Sequence, residues 1–518
     1  MGLNKNSIES QSLNMASTSR LMLRGATLRV IKTLAGIIIG FLMMPFLLNE
    51  LGTHLYGLWI TIGSVVASYY LLDLGFSQAV TRYVARYIHQ KDYVGANRII
   101  TTSLLIYSGL GLLVVILSFF IARFGVDHFV QNKDDIQLVQ ILLIISGISL
   151  AFEFPAKAFP GVISAYMRFD TIAIVGLIKT IADALFIYAA IKAGYGLVAM
   201  SLIVFCTSIL STVFYVYYCT RIFADLSISI NHFEKGTAKE LFHFSKWVFV
   251  NDLNALLKGK MDIWFIAYFT TLSTVTIYYV AVRLVEYAVQ FLIQATGMSS
   301  PLYAKYHALE DHAKLAFAVE LFLKINIILG SVISAGFYIL GDNFIRLWMG
   351  SSFEVNTAYI CLVIIGCGRM ISFMTYPFGS LLLTVKRHDI TAKVAIAETI
   401  LAAVLSIVLI PRFQLMGAAI AIAIPLVLGR VFVISVYAAR FVEIAWPKLI
   451  ARIIIFISIA VAVSIYLRNL VTATDSYMGF AIMAVGTGGV LVLIAVLSLF
   501  NLSDMKFIVS KLKSGVKR

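Results

Sequence analysis

Apolar segments of membrane-spanning length recur along nearly the whole chain, and this repetition constrains the fold more than any other feature. Crossing a bilayer takes about 20 apolar residues in a helix. Lipid offers no hydrogen-bond partner to backbone polar groups, so each segment must be helical. The sequence therefore predicts an all-α integral membrane protein with about fourteen transmembrane helices, at residues 25–48, 55–82, 97–121, 136–158, 170–192, 196–219, 243–270, 274–302, 314–341, 355–384, 390–410, 415–440, 448–467 and 477–500.

The supply of charge agrees with a membrane location. Charged residues make up 13% of the chain, roughly half of the ~25% typical of soluble domains. The net charge of +15 would suggest a nucleic-acid partner in a soluble protein. Membrane proteins, however, retain Lys and Arg on the cytoplasmic side, so we expect no nucleic-acid partner.

The distribution of Lys and Arg predicts the orientation. With the N-terminus inside, 25 of the 41 fall in inner segments and six in outer segments. This bias places both termini in the cytoplasm. Residues 1–20 are polar and the first apolar run is long enough to span, so we expect no cleavable signal peptide and a retained first helix.

The chain also repeats itself at an offset of 219 residues. An even number of helices per repeat keeps both halves in one orientation, as in parallel transporter repeats. We therefore predict a cytoplasmic segment (1–24), an N-lobe of helices 1–6 (25–219), a cytoplasmic linker (220–242), a C-lobe of helices 7–12 (243–440), helices 13 and 14 (441–500) and a basic cytoplasmic tail (501–518). The matched segments are 85–92 with 304–311, 168–170 with 387–389, and 179–181 with 398–400.

Apart from the residues counted with the inner and outer segments, ten basic and eight acidic residues lie inside the predicted spans. Charges within a membrane are costly and usually face a cavity or a partner, so the set predicts a polar interior. Four pairs stand about one helical turn apart, which permits either local neutralisation or a functional role. Lys246, Lys324 and Arg430 lie near helix ends, where long side chains can reach the headgroups. The spaced pairs are Lys179 with Asp183, Lys258 with Asp262, Arg283 with Glu286 and Glu320 with Lys324.

Three basic residues, Arg29, Lys32 and Arg369, have no acid within one turn on their own helix. They are candidates for an unpaired cationic surface. Helix 7 is the most polar span and should line the interior, or break near residues 258–260. Its polar residues are Asn251, Asp252, Asn254, Lys258, Lys260 and Asp262.

Several tyrosines accompany these charges and could stack on sugar rings. Aromatic residues near membrane edges are more often interfacial anchors, so both interpretations stay open. The residues are Tyr69, Tyr70, Tyr278, Tyr279 and Tyr287.

Short motifs spread along the chain carry a family resemblance. They read NELGTHLYGLW (49–59), LDLGFSQAVTRYVA (72–85), ISAYMRFD (163–170), KGKMDIWFIAYF (258–269) and TIYYVAVRL (276–284). From about residue 20 to 500 the chain resembles the polysaccharide-export branch of the multidrug/oligosaccharidyl-lipid/polysaccharide (MOP) exporter superfamily, specifically the Wzx-type O-antigen flippases. The motifs are Gly, aromatic and charged positions, with no catalytic signature.

The resemblance implies a MATE-like fold of two six-helix lobes around a central cavity. It implies a transporter of the bacterial inner membrane that moves an undecaprenyl-diphosphate-linked oligosaccharide for O-antigen, lipopolysaccharide or another surface polysaccharide from the inner to the outer leaflet by alternating access. Other expected partners are membrane lipids, a polysaccharide polymerase and the chain-length machinery.

On this interpretation cations offset the charge of the diphosphate, and an acidic residue couples transport to H⁺ or Na⁺. The headgroup candidates are Arg29, Lys32, Lys258, Lys260, Arg283 and Arg369. The coupling candidates are Asp73, Asp262 and Glu286. Secondary cavity candidates are Lys179, Asp183, Asn251, Asp252, Asn254 and Glu398.

Two related transporters are alternatives: a lipid II flippase, and a MATE-type antiporter for drugs or other cations, which predicts an acidic cavity. An enzyme is the alternative from a different class. We expect no catalytic residues and no cofactor, because the longest outer loop is about 122–135 and the chain has no GxxxxGK[ST] phosphate loop. The eight histidines and four cysteines show no metal-ligand spacing.

Overall fold

A computed structural model describes residues 5–73, 75–126, 132–297, 299–350, 352–471 and 476–499. These residues are helical almost throughout and include no β-strand, which confirms the all-α prediction. The predicted tail at 501–518 lies outside the described residues.

Eleven helices of the described residues are long and apolar enough to cross a membrane. Two of them, residues 24–89 and 388–441, contain 66 and 54 residues, more than twice the ~20 needed for one crossing. Both include a residue with a non-helical backbone, Gly52 in the first and Gln414 in the second. The chain is thus a multi-pass membrane protein, and the count of fourteen helices stays a prediction.

The chain divides into two compact units, Met1–Lys260 and Met261–Arg518. The boundary falls inside one helix, which runs from Lys235 to Phe269. The predicted division into six-helix lobes with two added helices also stays a prediction.

In the first unit, α3 packs most extensively on α4 and α1 on α6. The close approach of α3 to α4 depends on Gly111, where a Cβ atom would lie 2.8 Å from the carbonyl oxygen of Ala151. Its helices are α1 (Lys5–Tyr69), α2 (Phe76–His89), α3 (Tyr93–Phe120), α4 (Lys133–Ala156), α5 (Ala158–Ala165), α6 (Phe169–Lys192), α7 (Leu197–Ile222) and the start of α8 (Lys235–Phe269).

The structure divides the predicted span 55–82. Its helix ends at Tyr69, a 3₁₀ turn follows over Tyr70–Asp73, and α2 begins after Gly75. Gly75 has φ 74°, a left-handed conformation that costs little without a Cβ atom. A second break separates α4 from α5, next to Pro155, which has no N–H to donate to the helix. The two breaks bring polar side chains from separate elements together.

In the second unit, a buried apolar cluster joins α10, α11, α13, α15 and α16, with Tyr303, Ile339, Leu381, Phe456 and Leu491 at its centre. The helices are the rest of α8, α9 (Leu272–Thr296), α10 (Ser299–Ala308), α11 (His312–Met349), α12 (Val355–Met374), α13 (Tyr376–Thr384), α14 (His388–Val427), α15 (Trp446–Leu470) and α16 (Tyr477–Leu499). A π-helical segment, Leu428–Ser435, follows α14 directly.

The 219-residue offset also relates local backbone features of the two units. Lys91 and Glu310, at φ 57° and 54°, form one such pair, and Met167 and Lys386, at φ 58° and 59°, form another. Left-handed backbone is uncommon for residues other than glycine. Two such coincidences at one offset indicate that equivalent turns occur in both units.

The loops after these turns carry equivalent side-chain contacts as well. In each unit an Arg Nε lies within 3.3 Å of the Asp Oδ1 two residues later, and the same guanidinium lies over a tyrosine ring. The participants are Arg168, Asp170 and Tyr218 in the first unit, and Arg387, Asp389 and Tyr437 in the second.

Candidate functional site

A coupling candidate of the first unit, Asp73, accepts two side-chain hydrogen bonds at the end of the 3₁₀ turn. The Tyr107 hydroxyl of α3 donates to Asp73 Oδ1 at 2.5 Å, and the Ser77 hydroxyl of α2 donates to Oδ2 at 3.1 Å. The break before α2 makes this possible, because Asp73 lies outside the helix that carries Ser77.

Lys157, at the break between α4 and α5, completes this environment. Its Nζ lies 3.6 Å from Asp73 Oδ2, and its side chain is 16% exposed. The ammonium also lies over two rings, 4.6 Å from the Tyr70 centroid and 4.3 Å from the Phe154 centroid. Such cation–π contacts favour a cation that has lost part of its water.

Sequence reasoning missed Lys157 by counting it among the inner-loop cations. The sequence could have indicated Lys157, because it lies four residues after Glu153, with Phe154 and Pro155 between them. That spacing puts acid and base on one helix face, and the proline predicts a helix break.

Two further carboxylates lie near this group. Glu153 accepts a hydrogen bond from the Tyr70 hydroxyl at 3.1 Å and interacts electrostatically with Lys157. Asp252, on the part of α8 in the first unit, is within electrostatic range of Asp73. We call Tyr70, Asp73, Ser77, Tyr107, Glu153 and Lys157 the Asp73 cluster.

The predicted pair Lys179–Asp183 is present and links two helices. Lys179 Nζ donates to Asp183 Oδ2 at 2.8 Å and to the Thr207 hydroxyl of α7 at 3.2 Å. Thr207 in turn donates to Asp183. The three groups cross-link α6 to α7, and both charged side chains are about three-quarters buried.

Two headgroup candidates of α1 lie against α6. The Arg29 guanidinium is 5.7 Å from the centroid of the Phe169 ring. The Lys32 side chain lies along Gly176, where a Cβ atom would meet its ammonium group. Gly176 is three residues before Lys179 on α6, so α1 and α6 bring Lys32 and Lys179 to neighbouring positions.

In the second unit, Asp262 is buried at 7% exposure. It accepts hydrogen bonds from the Tyr278 hydroxyl at 3.0 Å and from the backbone N–H of Ile263 at 2.9 Å. Arg369 and Glu286 are within electrostatic range of its carboxylate. The structure therefore groups a headgroup candidate with two coupling candidates.

The predicted pair Arg283–Glu286 lies on α9 and is 2.9 Å apart, with both side chains 35% exposed. The Arg283 guanidinium also lies 5.1 Å from the Tyr279 ring centroid and 5.9 Å from that of Tyr287. Tyrosines at i−4 and i+4 flank the cation along one helix face. We call these four residues the Arg283 site.

Glu398 lies in the part of α14 before its non-helical residue Gln414, and it forms an ion pair with Arg430 of the π-helical segment. Their Oε1 and Nε atoms are 3.0 Å apart, and the Glu398 side chain is 2% exposed. Glu398 also lines a pocket of about 510 Å³ between these elements. A buried carboxylate thus holds Arg430, so its charge has a partner within the protein.

The Lys324 side chain also lies inside the protein and does not reach the protein surface. It is 1% exposed and 2.7 Å from Glu320. A charge that deep is tolerated only with a partner, and the predicted Glu320–Lys324 pair supplies one.

The remaining candidates lie on α8. The helix continues through residues 258–260, so the alternative of a break there is wrong. Asn254, Lys258 and Lys260 are partly buried, whereas the Asn251 side chain lies outside the described residues. Among the described residues, no three His, Cys, Asp or Glu side chains are placed to hold a metal ion.

The fold is similar to that of solved MOP-superfamily transporters and related flippases. Over 92% of this chain and all of the other, the structure is similar to that of the lipid II flippase MurJ in an inward closed conformation, with a TM-score of 0.69 and 16% identity. It is similar to an inward-facing MATE multidrug transporter over 81% of this chain and 98% of the other, with a TM-score of 0.61 and 13% identity.

The sequence comparisons are more specific. Residues 22–307 match the family model described as polysaccharide biosynthesis protein, and the chain belongs to that family. It is also 22% identical over 402 residues to AglR of Haloferax volcanii, which is named a probable flippase. The alignment covers 76% of this chain and 79% of AglR. The chain is thus a member of the polysaccharide biosynthesis protein family whose fold is similar to that of MOP-superfamily transporters.

Proposed function

We propose that the protein is a flippase for an undecaprenyl-diphosphate-linked oligosaccharide, a precursor of O-antigen or another surface polysaccharide. It moves this lipid from the inner to the outer leaflet of a bacterial cytoplasmic membrane, with both termini in the cytoplasm. Polymerase and chain-length proteins then use the exported unit. The family and the related flippase support transport of a glycan precursor.

The Arg283 site is the observation that carries the proposal. A guanidinium binds phosphate oxygens through several donors at once, and a neighbouring carboxylate can accept hydrogen bonds from sugar hydroxyls. Tyrosine rings present apolar faces, and a hydroxyl for hydrogen bonding, to a sugar ring. Arg283, Glu286, Tyr279 and Tyr287 combine these three kinds of contact on one half-exposed helix face.

The coupling candidates give the transport step a driving force. Asp73, Asp262 and Glu286 each lie beside a basic side chain or within its electrostatic range. A cation that binds one of these carboxylates changes the balance of charge around the substrate site. Alternating access then follows from different affinities for the cation in the two states.

Deletion of the gene, with complementation, tests the proposal. We expect loss of the surface polysaccharide and accumulation of its lipid-linked precursor, both reversed by the wild-type gene. Arg283→Ala should fail to restore export while the protein reaches the membrane in normal amount, and Arg29→Ala and Lys258→Ala should fail likewise. The matched control is Arg221→Ala, since Arg221 lies over Tyr217 in a similar arrangement outside the Arg283 site.

Other outcomes would contradict the proposal. Loss of viability with accumulated lipid II would assign the protein to cell-wall synthesis. Intact surface polysaccharide with reduced drug efflux would assign it to cation antiport. Full export by the Arg283→Ala variant would remove the Arg283 site from the mechanism.

A further inference from the structure

We propose that Lys157 is a headgroup-binding residue that exchanges its contact with Asp73 for a phosphate of the substrate. Binding of the headgroup then releases the Asp73 carboxylate. The inference rests on the proposed function, because it takes a lipid diphosphate as the ligand. It adds Lys157 to the residues that bind the headgroup, and it adds a step that couples headgroup binding to cation binding at Asp73.

The first argument is the length of the ion pair. Charge-assisted N–H···O contacts are usually about 2.7–2.9 Å long, whereas Lys157 Nζ lies 3.6 Å from Asp73 Oδ2. An ammonium group has three donors. The Asp73 contact therefore leaves the ammonium able to bind a stronger acceptor, and a diphosphate offers several charged oxygens.

The second argument is access. The Lys157 side chain is 16% exposed, and the ring beneath it, Tyr70, is 42% exposed. The Tyr70 and Phe154 rings hold the ammonium at the edge of the cluster through its cation–π contacts. The ammonium group is thus not fully enclosed, and its exposed part offers a headgroup a point of contact.

The third argument is the support of Asp73. Its carboxylate keeps the hydrogen bonds from Tyr107 and Ser77 when Lys157 leaves. It therefore stays in place as a negative charge that has lost its counter-cation. A proton or a metal cation from the membrane gradient can then bind there, so one lysine links substrate binding to cation binding, and the linkage is reciprocal.

Binding measurements on the purified full chain in detergent micelles test the exchange. The probe is undecaprenyl diphosphate without sugars, with inorganic pyrophosphate as a second probe. Lys157→Met should weaken binding at least about tenfold, as expected for loss of one charge-assisted hydrogen bond. Asp73→Asn should instead strengthen binding several-fold, because it removes the competing carboxylate. Lys157→Arg, which keeps the charge, should retain binding.

The opposite signs distinguish exchange from a structural ion pair, whose loss would affect both variants alike. The double variant should bind as weakly as Lys157→Met. Lys192→Met is the control, since Lys192 pairs with Glu50 elsewhere in the same unit, and it should bind as the wild type does. Thermal unfolding of every variant checks that folding is intact.

Unchanged binding in Lys157→Met, or unchanged or weakened binding in Asp73→Asn, would overturn the proposal. Weak binding by Lys157→Arg despite normal unfolding would also count against it. These measurements use a lipid without glycan, so they stay informative if export assays reject an oligosaccharide substrate. Failure of the exchange would in turn leave the export assay of Arg283→Ala unaffected.

Discussion

Replacing Glu398 by leucine should destabilise the protein strongly, because it leaves the Arg430 guanidinium without its carboxylate partner. The Glu398 side chain is 2% exposed, and Arg430 keeps 23% exposure. The guanidinium faces both carboxylate oxygens, at 3.0 Å and 3.3 Å. Without them, a guanidinium that is about three-quarters buried loses its carboxylate partner.

The expected size follows from this burial. Removing one partner of a buried ion pair typically costs about 3–5 kcal/mol, and the partial exposure of Arg430 favours the lower end, about 3 kcal/mol. Replacing both residues by apolar ones of similar size removes the stranded charge. The Glu398→Leu, Arg430→Met variant should therefore lie within about 1 kcal/mol of the wild type.

Reversible unfolding in mixed micelles, with increasing SDS and tryptophan fluorescence as the signal, measures these free energies. The double-mutant cycle isolates the coupling between the two side chains. A Glu398→Leu variant as stable as the wild type would refute the reasoning. So would a double variant as unstable as the single one, because the cost would then come from packing rather than from charge.

Two further predictions concern helix packing and capping. Gly111→Ala should cost about 1–3 kcal/mol of stability through overpacking, because the new Cβ atom meets the Ala151 backbone. Gly109→Ala on the same helix should not destabilise the protein, because its Cβ atom meets nothing within 4 Å. Equal unfolding of the two variants in SDS would contradict this. Asp311 caps α11 by accepting from the Lys314 N–H, and hydrogen bonds from Lys314 hold the pKa of this carboxyl below its usual value. The cap should therefore protect the Lys314 amide from hydrogen exchange above about pH 4 and lose that effect as the pH falls further, whereas Asp311→Ala should show no such change.

The general architecture could be predicted because the membrane imposes it on the sequence. Long apolar runs require helices in lipid, and the runs themselves are visible. Breaks within those runs were harder to place. Gly75 and Pro155 each mark one, yet both residues also occur inside helices, as Pro45 does in α1.

Pairs within one helix could be predicted because spacing alone brings them together. Lys179–Asp183 and Arg283–Glu286 are examples. Contacts between elements could not be predicted in this way. No local pattern links Lys157 to Asp73, 84 residues away in sequence, or Glu398 to Arg430, 32 residues away.

The paired left-handed turns show which features of a repeated sequence persist longest. Lys91 and Glu310 carry opposite charges but share one backbone conformation, and Met167 and Lys386 share another. A left-handed residue with an unbranched Cβ atom costs only roughly 1–2 kcal/mol, so such a position tolerates many substitutions as long as the chain still turns. A search for distant relatives that compares dihedral angles at fixed spacing would therefore detect kinship that residue identity no longer records.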